Sequence, residues 1–126
     1  MTDTTVAQTS ILVVDDDPDL LRLMQIRLSA AGYAVTAADS AERALAQLTI
    51  ARPRLVVTDL RMSGMDGIAA TRAIRHSDPR ARVIIVTEHG QEQYRRAAEA
   101  AGACGFVLKE NLLELPTLLA AEQRAQ

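Results

Sequence analysis

The sequence predicts an α/β domain: five repeats of a short buried strand and a following helix, folded as a three-layer sandwich around a parallel five-stranded sheet. Three observations predict it. Short β-branched runs alternate with longer amphipathic stretches along the chain, the signature of βαβ units joined by right-handed crossovers. The strongest runs are apolar at every position, as strands covered on both faces are. Each of these runs also stops abruptly at a polar residue capable of chemistry.

The first run, Ile11 to Val14, ends in Asp15, Asp16 and Asp17. Asp17 and Pro18 read as the cap and first turn of a helix. Leu20, Leu21, Leu23, Met24, Leu28 and Ala31 form its apolar stripe, and Gly32 stops it. Tyr33 to Ala38 is a weaker strand. Ser40 opens a second helix that must end before Pro53. Leu55 to Thr58 repeats the buried-strand pattern and stops at Asp59. The turn-rich segment Ser63 to Gly67 leads into a helix over about 68–76. Val83 to Val86 is the fourth strand, ending at Thr87. Tyr94, Ala97, Ala98 and Ala101 share one face of a fourth helix, which Gly102 ends. Phe106 to Leu108 is a short fifth strand ending at Lys109, and a last helix runs from about Leu112 towards Arg124. Asn111 and Glu114 have the spacing of a capping box, with Pro116 one turn further on.

Bulk properties narrow the function. The 126 residues suffice for one core. Fourteen basic against sixteen acidic residues leave no basic field for nucleic acid, and no Trp, one Phe and two Tyr make no stacking platform for bases. No apolar run approaches the roughly 20 residues that span a bilayer. The first ten residues lack the layout of a signal peptide. A single cysteine, Cys104, fits a reducing compartment and reads as a small filler. The expectation is a cytoplasmic protein with no membrane and no direct nucleic-acid contact.

In open parallel sheets, ligands bind outside the carboxyl ends of the strands. Here those ends bring Asp15, Asp16, Asp59, Thr87 and Lys109 to one edge. Gathered carboxylates repel one another unless a cation neutralises them. Mg²⁺ suits them, since it uses one or two carboxylates and accepts phosphate oxygens; no His or Cys cluster competes for a softer metal, because His76 and His89 have no partner at ligand spacing. A carboxylate can also be the nucleophile that forms an aspartyl phosphate, and Lys109 and Thr87 are donors for phosphoryl oxygens. Asp17 and Asp19 read instead as charges complementing a helix N-terminus.

Four segments carry a family resemblance. Ile11–Leu20 (ILVVDDDPDL), Val56–Gly67 (VVTDLRMSGMDG), Val83–Thr87 (VIIVT) and Gly105–Lys109 (GFVLK) resemble the successive signatures of bacterial response-regulator receiver domains of the chemotaxis-receiver type. The resemblance implies a flavodoxin-like (βα)5 fold with strand order 2-1-3-4-5. It implies a receiver over residues 10–126 after a flexible segment 1–9. By the same resemblance, Asp59 accepts the phosphoryl group from a sensor histidine kinase or phosphotransfer protein. Asp16 ligates Mg²⁺ directly, Asp15 partly through water, and the Arg61 backbone carbonyl completes the set. Lys109 and Thr87 hold the phosphoryl oxygens. Movement of Thr87 lets Phe106 swing inward and reshapes the surface of the fourth helix, fifth strand and fifth helix. That surface would address an output domain or partner protein, a homodimer being one form. Phe106 as plain core packing is the competing reading.

Some positions depart from the family pattern. Glu88 follows Thr87 where a small residue is usual, so it either crowds the phosphoryl site or turns outward. Ser63 and Glu110 stand where Pro is common, which leaves the isomer of the Lys109–Glu110 bond open. Arg61 and His89 flank the site as modulators of phosphate lifetime. Two rival readings remain at this level: a phosphorylation-independent interaction module of the same fold, and an aspartate-based phosphatase using Asp15. A conventional enzyme is not expected.

Overall fold

A computed structural model describes residues 9–62 and 64–124. The expected flexible segment, apart from Thr9, and the departure at Ser63 lie outside the described residues. The elements are β1 (Ser10–Val14), α1 (Pro18–Ala30), β2 (Ala34–Ala38), α2 (Ala41–Ala51), β3 (Leu55–Asp59), α3 (Gly67–Ser77), β4 (Arg82–Thr87), α4 (Glu92–Ala101), β5 (Gly105–Leu108) and α5 (Leu115–Arg124). All strands pair in parallel, in the order β2-β1-β3-β4-β5. The chain is therefore a flavodoxin-like (βα)5 sandwich, as the sequence predicts.

The unbroken apolar runs are explained by two cores. Ile11, Val13, Val57 and Ile84 point to the face covered by Met24 and Leu28 of α1 and Leu115 and Leu119 of α5. Leu12, Val14, Val56 and Val83 point the other way, onto Ala44 and Leu48 of α2 and Ile74 of α3. Each such side chain contributes about 1.5–3 kcal/mol on burial. A third cluster, Leu60, Ile85 and Ala98, lies under α4, with Tyr94 and Phe106 packed against it. Only β2, at an edge, alternates between half-buried and exposed positions.

Local signals place most ends. The Asp17 carboxylate caps α1 by accepting from the N–H groups of Asp19 and Leu20, Ser40 caps α2 by accepting from Arg43 N–H, and Asp66 caps α3 through Ala69 N–H. Gly102 ends α4 at φ 106°. The C-cap of α2 is different: Arg52 takes the left-handed conformation (φ 45°, ψ 57°) where glycine is usual.

The last helix corrects the sequence expectation. Residues Lys109–Glu114 form a 3-10 turn and α5 proper begins at Leu115, three residues later than expected. Pro116 lies in its first turn, where a missing N–H goes unnoticed. Asn111 sits inside the 3-10 turn with non-helical φ/ψ, so the Asn111–Glu114 spacing is not a helix cap. The Lys109–Glu110 peptide bond is trans. No helix among the described residues is long and apolar enough to cross a membrane.

Candidate functional site

The carboxyl ends of β1, β3, β4 and β5 converge, as parallel topology requires. Asp15, Asp16 and Asp59 each offer a carboxylate oxygen, and these lie within 4.8 Å of one another. Asp15 and Asp59 are buried, whereas Asp16 is exposed. The Lys109 ammonium reaches in from the end of β5, 3.3 Å from Asp59 Oδ1 and 3.6 Å from Asp15 Oδ2. The Leu60 N–H donates to Asp59 Oδ1 at 3.0 Å, and the Asp17 N–H to Asp15 Oδ1 at 2.9 Å. Both acids are thus held by backbone donors at the start of their loops.

The electrostatics are those of a crowded anionic site. Burial first, then the charge of Asp15, pushes the Asp59 carboxyl up to about 6, with Lys109 and the Leu60 N–H pulling against them. Burial likewise raises Asp15, opposed chiefly by the Asp17 N–H. For Lys109, burial favours the neutral amine, but the charges of Asp15 and Asp59 outweigh it and hold the proton; Glu88 adds to them. Three carboxylates and one ammonium carry an excess of negative charge. A hard divalent cation fits this oxygen-only donor set.

Gly67 shapes the loop beneath Asp59. Its N–H donates to the Leu60 carbonyl at 2.8 Å, and its carbonyl accepts from the Thr71 hydroxyl at 2.7 Å. A Cβ on Gly67 would stand 2.1 Å from the Asp59 carbonyl oxygen. No other residue leaves room for the chain to pass there. The turn-rich segment marked this region in the sequence, but nothing in it singled out Gly67 from Gly64.

Thr87 is fully buried, and its hydroxyl accepts from the His89 N–H at 3.0 Å. Glu88 is exposed, yet its charge is felt at Lys109. Arg61 is exposed; its guanidinium donates to the Tyr94 hydroxyl at 3.0 Å and lies 6.0 Å from that ring's centre. His89 meets Tyr94 edge-on at 5.9 Å. Arg61 and His89 therefore share Tyr94, which the sequence marked only as a member of an apolar helix face. Phe106 is half-buried, with the Arg95 guanidinium 5.0 Å from its ring centre. Cys104 is half-buried, and burial, then the neighbouring Glu122, pushes its thiol up.

Comparison with known proteins gives the family to which this fold and this acidic edge belong. The family model of the response regulator receiver domain matches residues 11–120, and the chain belongs to that family. It is 40% identical over 99 residues to the transcriptional regulatory protein GlrR of Escherichia coli, a match covering 79% of this chain and 22% of that protein. It is 41% identical over 103 residues to the C4-dicarboxylate transport transcriptional regulatory protein DctD of Rhizobium meliloti, covering 82% of this chain and 22% of that protein. The chain thus spans about a fifth of the length of these relatives. Among solved structures, the chemotaxis protein CheY4 of Vibrio cholerae superposes with a TM-score of 0.82 at 27% identity, covering 95% of this chain and all of that one.

Proposed function

We propose that this receiver is a phosphoacceptor in which Asp59 takes a phosphoryl group from a histidine kinase or phosphotransfer protein. The observation that carries the reading is the placement of Lys109 Nζ 3.3 Å from a buried Asp59 oxygen within a cluster of three carboxylates. An Asp59 carboxylate oxygen attacks phosphorus, the P–N bond of the phosphohistidine breaks, and the electron pair returns to the imidazole. Lys109 holds one phosphoryl oxygen, and the Thr87 hydroxyl, turning from the His89 N–H, holds another. Asp16, Asp59 and the Arg61 carbonyl, with Asp15 partly through water, would hold Mg²⁺, which would supply charge neutralisation to the acids and to the transferring group.

The consequence is a biased two-state surface. When Thr87 turns, space opens behind it for Phe106, whose ring leaves Arg95 and swings further inward. The face of α4, β5 and α5 would then meet an output domain, a partner protein or a second copy. Family membership favours this regulatory role over a conventional enzyme. Asp15 is a poorer nucleophile here, because the Asp17 N–H and Lys109 already engage its two oxygens.

The test uses a phosphorylated kinase histidine domain and Mg²⁺, with mass spectrometry of the trapped product. A single phosphoryl group on Asp59, absent from Asp59→Asn, is the expected result. Phosphate on Asp15 would support the phosphatase reading instead. Failure to bind either phosphate or beryllofluoride would leave the interaction module.

A further inference from the structure

The end of the sheet opposite Asp59 carries a charge cluster that phosphoryl chemistry does not use. A groove of about 770 Å³ runs between the C-terminal ends of α2 and α3 and the starts of β3 and β4. Arg52, Arg54, Arg75, Arg80 and Arg82 line it, with Asp78 as its one acid. That leaves nine basic against fifteen acidic residues elsewhere in the chain. The concentration of arginine in one concavity is thus the reverse of the chain's overall balance.

Two of the arginines are held in place. The Arg75 guanidinium donates to the carbonyls of Pro79 and Ala81, and Arg82 pairs with Glu122. Arg52 and Arg80 are exposed and have no side-chain partner among the described residues. The Asp78 carboxylate is turned to the Arg80 backbone N–H at 3.0 Å. Arg52 is also the one non-glycine residue with positive φ among those described. It precedes Pro53, a neighbour that itself disfavours helical φ/ψ. The Arg52 backbone caps α2 by donating to the Leu48 carbonyl, a role that glycine fills without the left-handed cost, so the fold itself gives no reason for an arginine side chain here.

We propose that this groove binds a small ligand carrying two adjacent phosphate groups. Guanidinium forks match phosphate oxygens two at a time, and two fixed arginines beside two unengaged ones offer donors to more than one phosphate. The groove has the size of a small-molecule site, with Leu48, Pro53 and Pro79 as apolar wall. A nucleic-acid duplex fits poorly, because the acidic remainder of the surface would repel its backbone. The diphosphate could be inorganic or part of a nucleotide.

Calorimetry of the full chain, without Mg²⁺, with pyrophosphate, ADP and adenosine tests this. Pyrophosphate and ADP bind and adenosine does not; ADP tighter than pyrophosphate identifies a nucleotide, and equal affinities the bare diphosphate. Arg52→Gly relieves the left-handed strain, so it keeps or raises the melting temperature while weakening ADP binding at least about tenfold. Arg80→Ala weakens it similarly, and Asp59→Asn leaves it unchanged. The proposal is overturned if neither anion binds at millimolar concentration, if the double Arg52→Gly/Arg80→Ala variant binds undiminished, if Asp59→Asn abolishes binding, or if a DNA duplex binds better than ADP.

Discussion

The Lys109 ammonium lies 3.3 Å from the same Asp59 oxygen that accepts the Leu60 N–H. One oxygen of the proposed phosphoacceptor is therefore engaged twice, and the other is the one left for the proposed attack. Lys109→Met removes the only ammonium at the cluster and lets the Asp59 carboxyl rise above about 6. Phosphorylation at Asp59 then slows at least about tenfold, since a donor to the phosphoryl oxygens is gone. A carboxylate NMR titration and a transfer time course check both halves.

Burial and Asp15 raise the Asp59 carboxyl from 3.8 to about 6. Between roughly pH 4 and 6 the metal-free folded chain keeps a proton that the unfolded chain has released, so stability is present below that window and is lost as the pH rises through it. The loss is about 2–3 kcal/mol. Asp59→Asn removes most of it. In chelator the variant is more stable than wild type at pH 7 by about 1–3 kcal/mol and nearly equal at pH 4, as denaturant melts at the two pH values will read.

Asp16 is exposed while its two neighbours in the cluster are buried. Saturating Mg²⁺ raises the wild-type melting temperature by mass action. Asp16→Ala lowers Mg²⁺ affinity at least about tenfold, yet in chelator it costs no more than about 0.5 kcal/mol, as surface substitutions do. Thermal melts across a Mg²⁺ series separate these effects.

The Thr87 hydroxyl accepts from the His89 N–H at 3.0 Å. Thr87→Ala leaves that N–H without its acceptor and deletes a buried methyl, costing about 2 kcal/mol. Thr87→Ser keeps the bond and gives up only the methyl, about 1 kcal/mol. If Thr87 also carries the switch, Ala and not Ser uncouples phosphorylation from the Phe106 ring environment, which fluorine labelling of Phe106 reports.

Much of this was legible in the chain. Ile11–Val14, Leu55–Thr58 and Val83–Val86 read as buried strands because the sheet is covered on both faces, and their terminal residues had then to meet at one edge. Asp15, Asp59, Thr87 and Lys109 were found in that way. Tyr94 was not, because its ring obeys helical spacing while its hydroxyl answers Arg61 from a distant loop. The late start of α5 was missed because Asn111 and Glu114 imitate a cap that the 3-10 turn overrides. The pairing of Arg61 with Tyr94 crosses the fold and leaves no local mark.

Gly67→Ala would force a methyl to within 2.1 Å of the Asp59 carbonyl, and backbone on both sides cannot retreat. A loss of about 3 kcal/mol or more is expected, with the Asp59 loop displaced. Chemical denaturation of the two proteins measures it.

That contact between Gly67 and Asp59 sets an order of decay for descendants of this gene. If Asp59 is the phosphoacceptor, a lineage released from that role gains stability by discarding its charge, and tolerates change at Asp16. By discarding the glycine it gives up about 3 kcal/mol or more and the shape of the loop. Degenerate copies should therefore shed their acids early and keep Gly67, a fossil of the lost reaction still needed to close the loop.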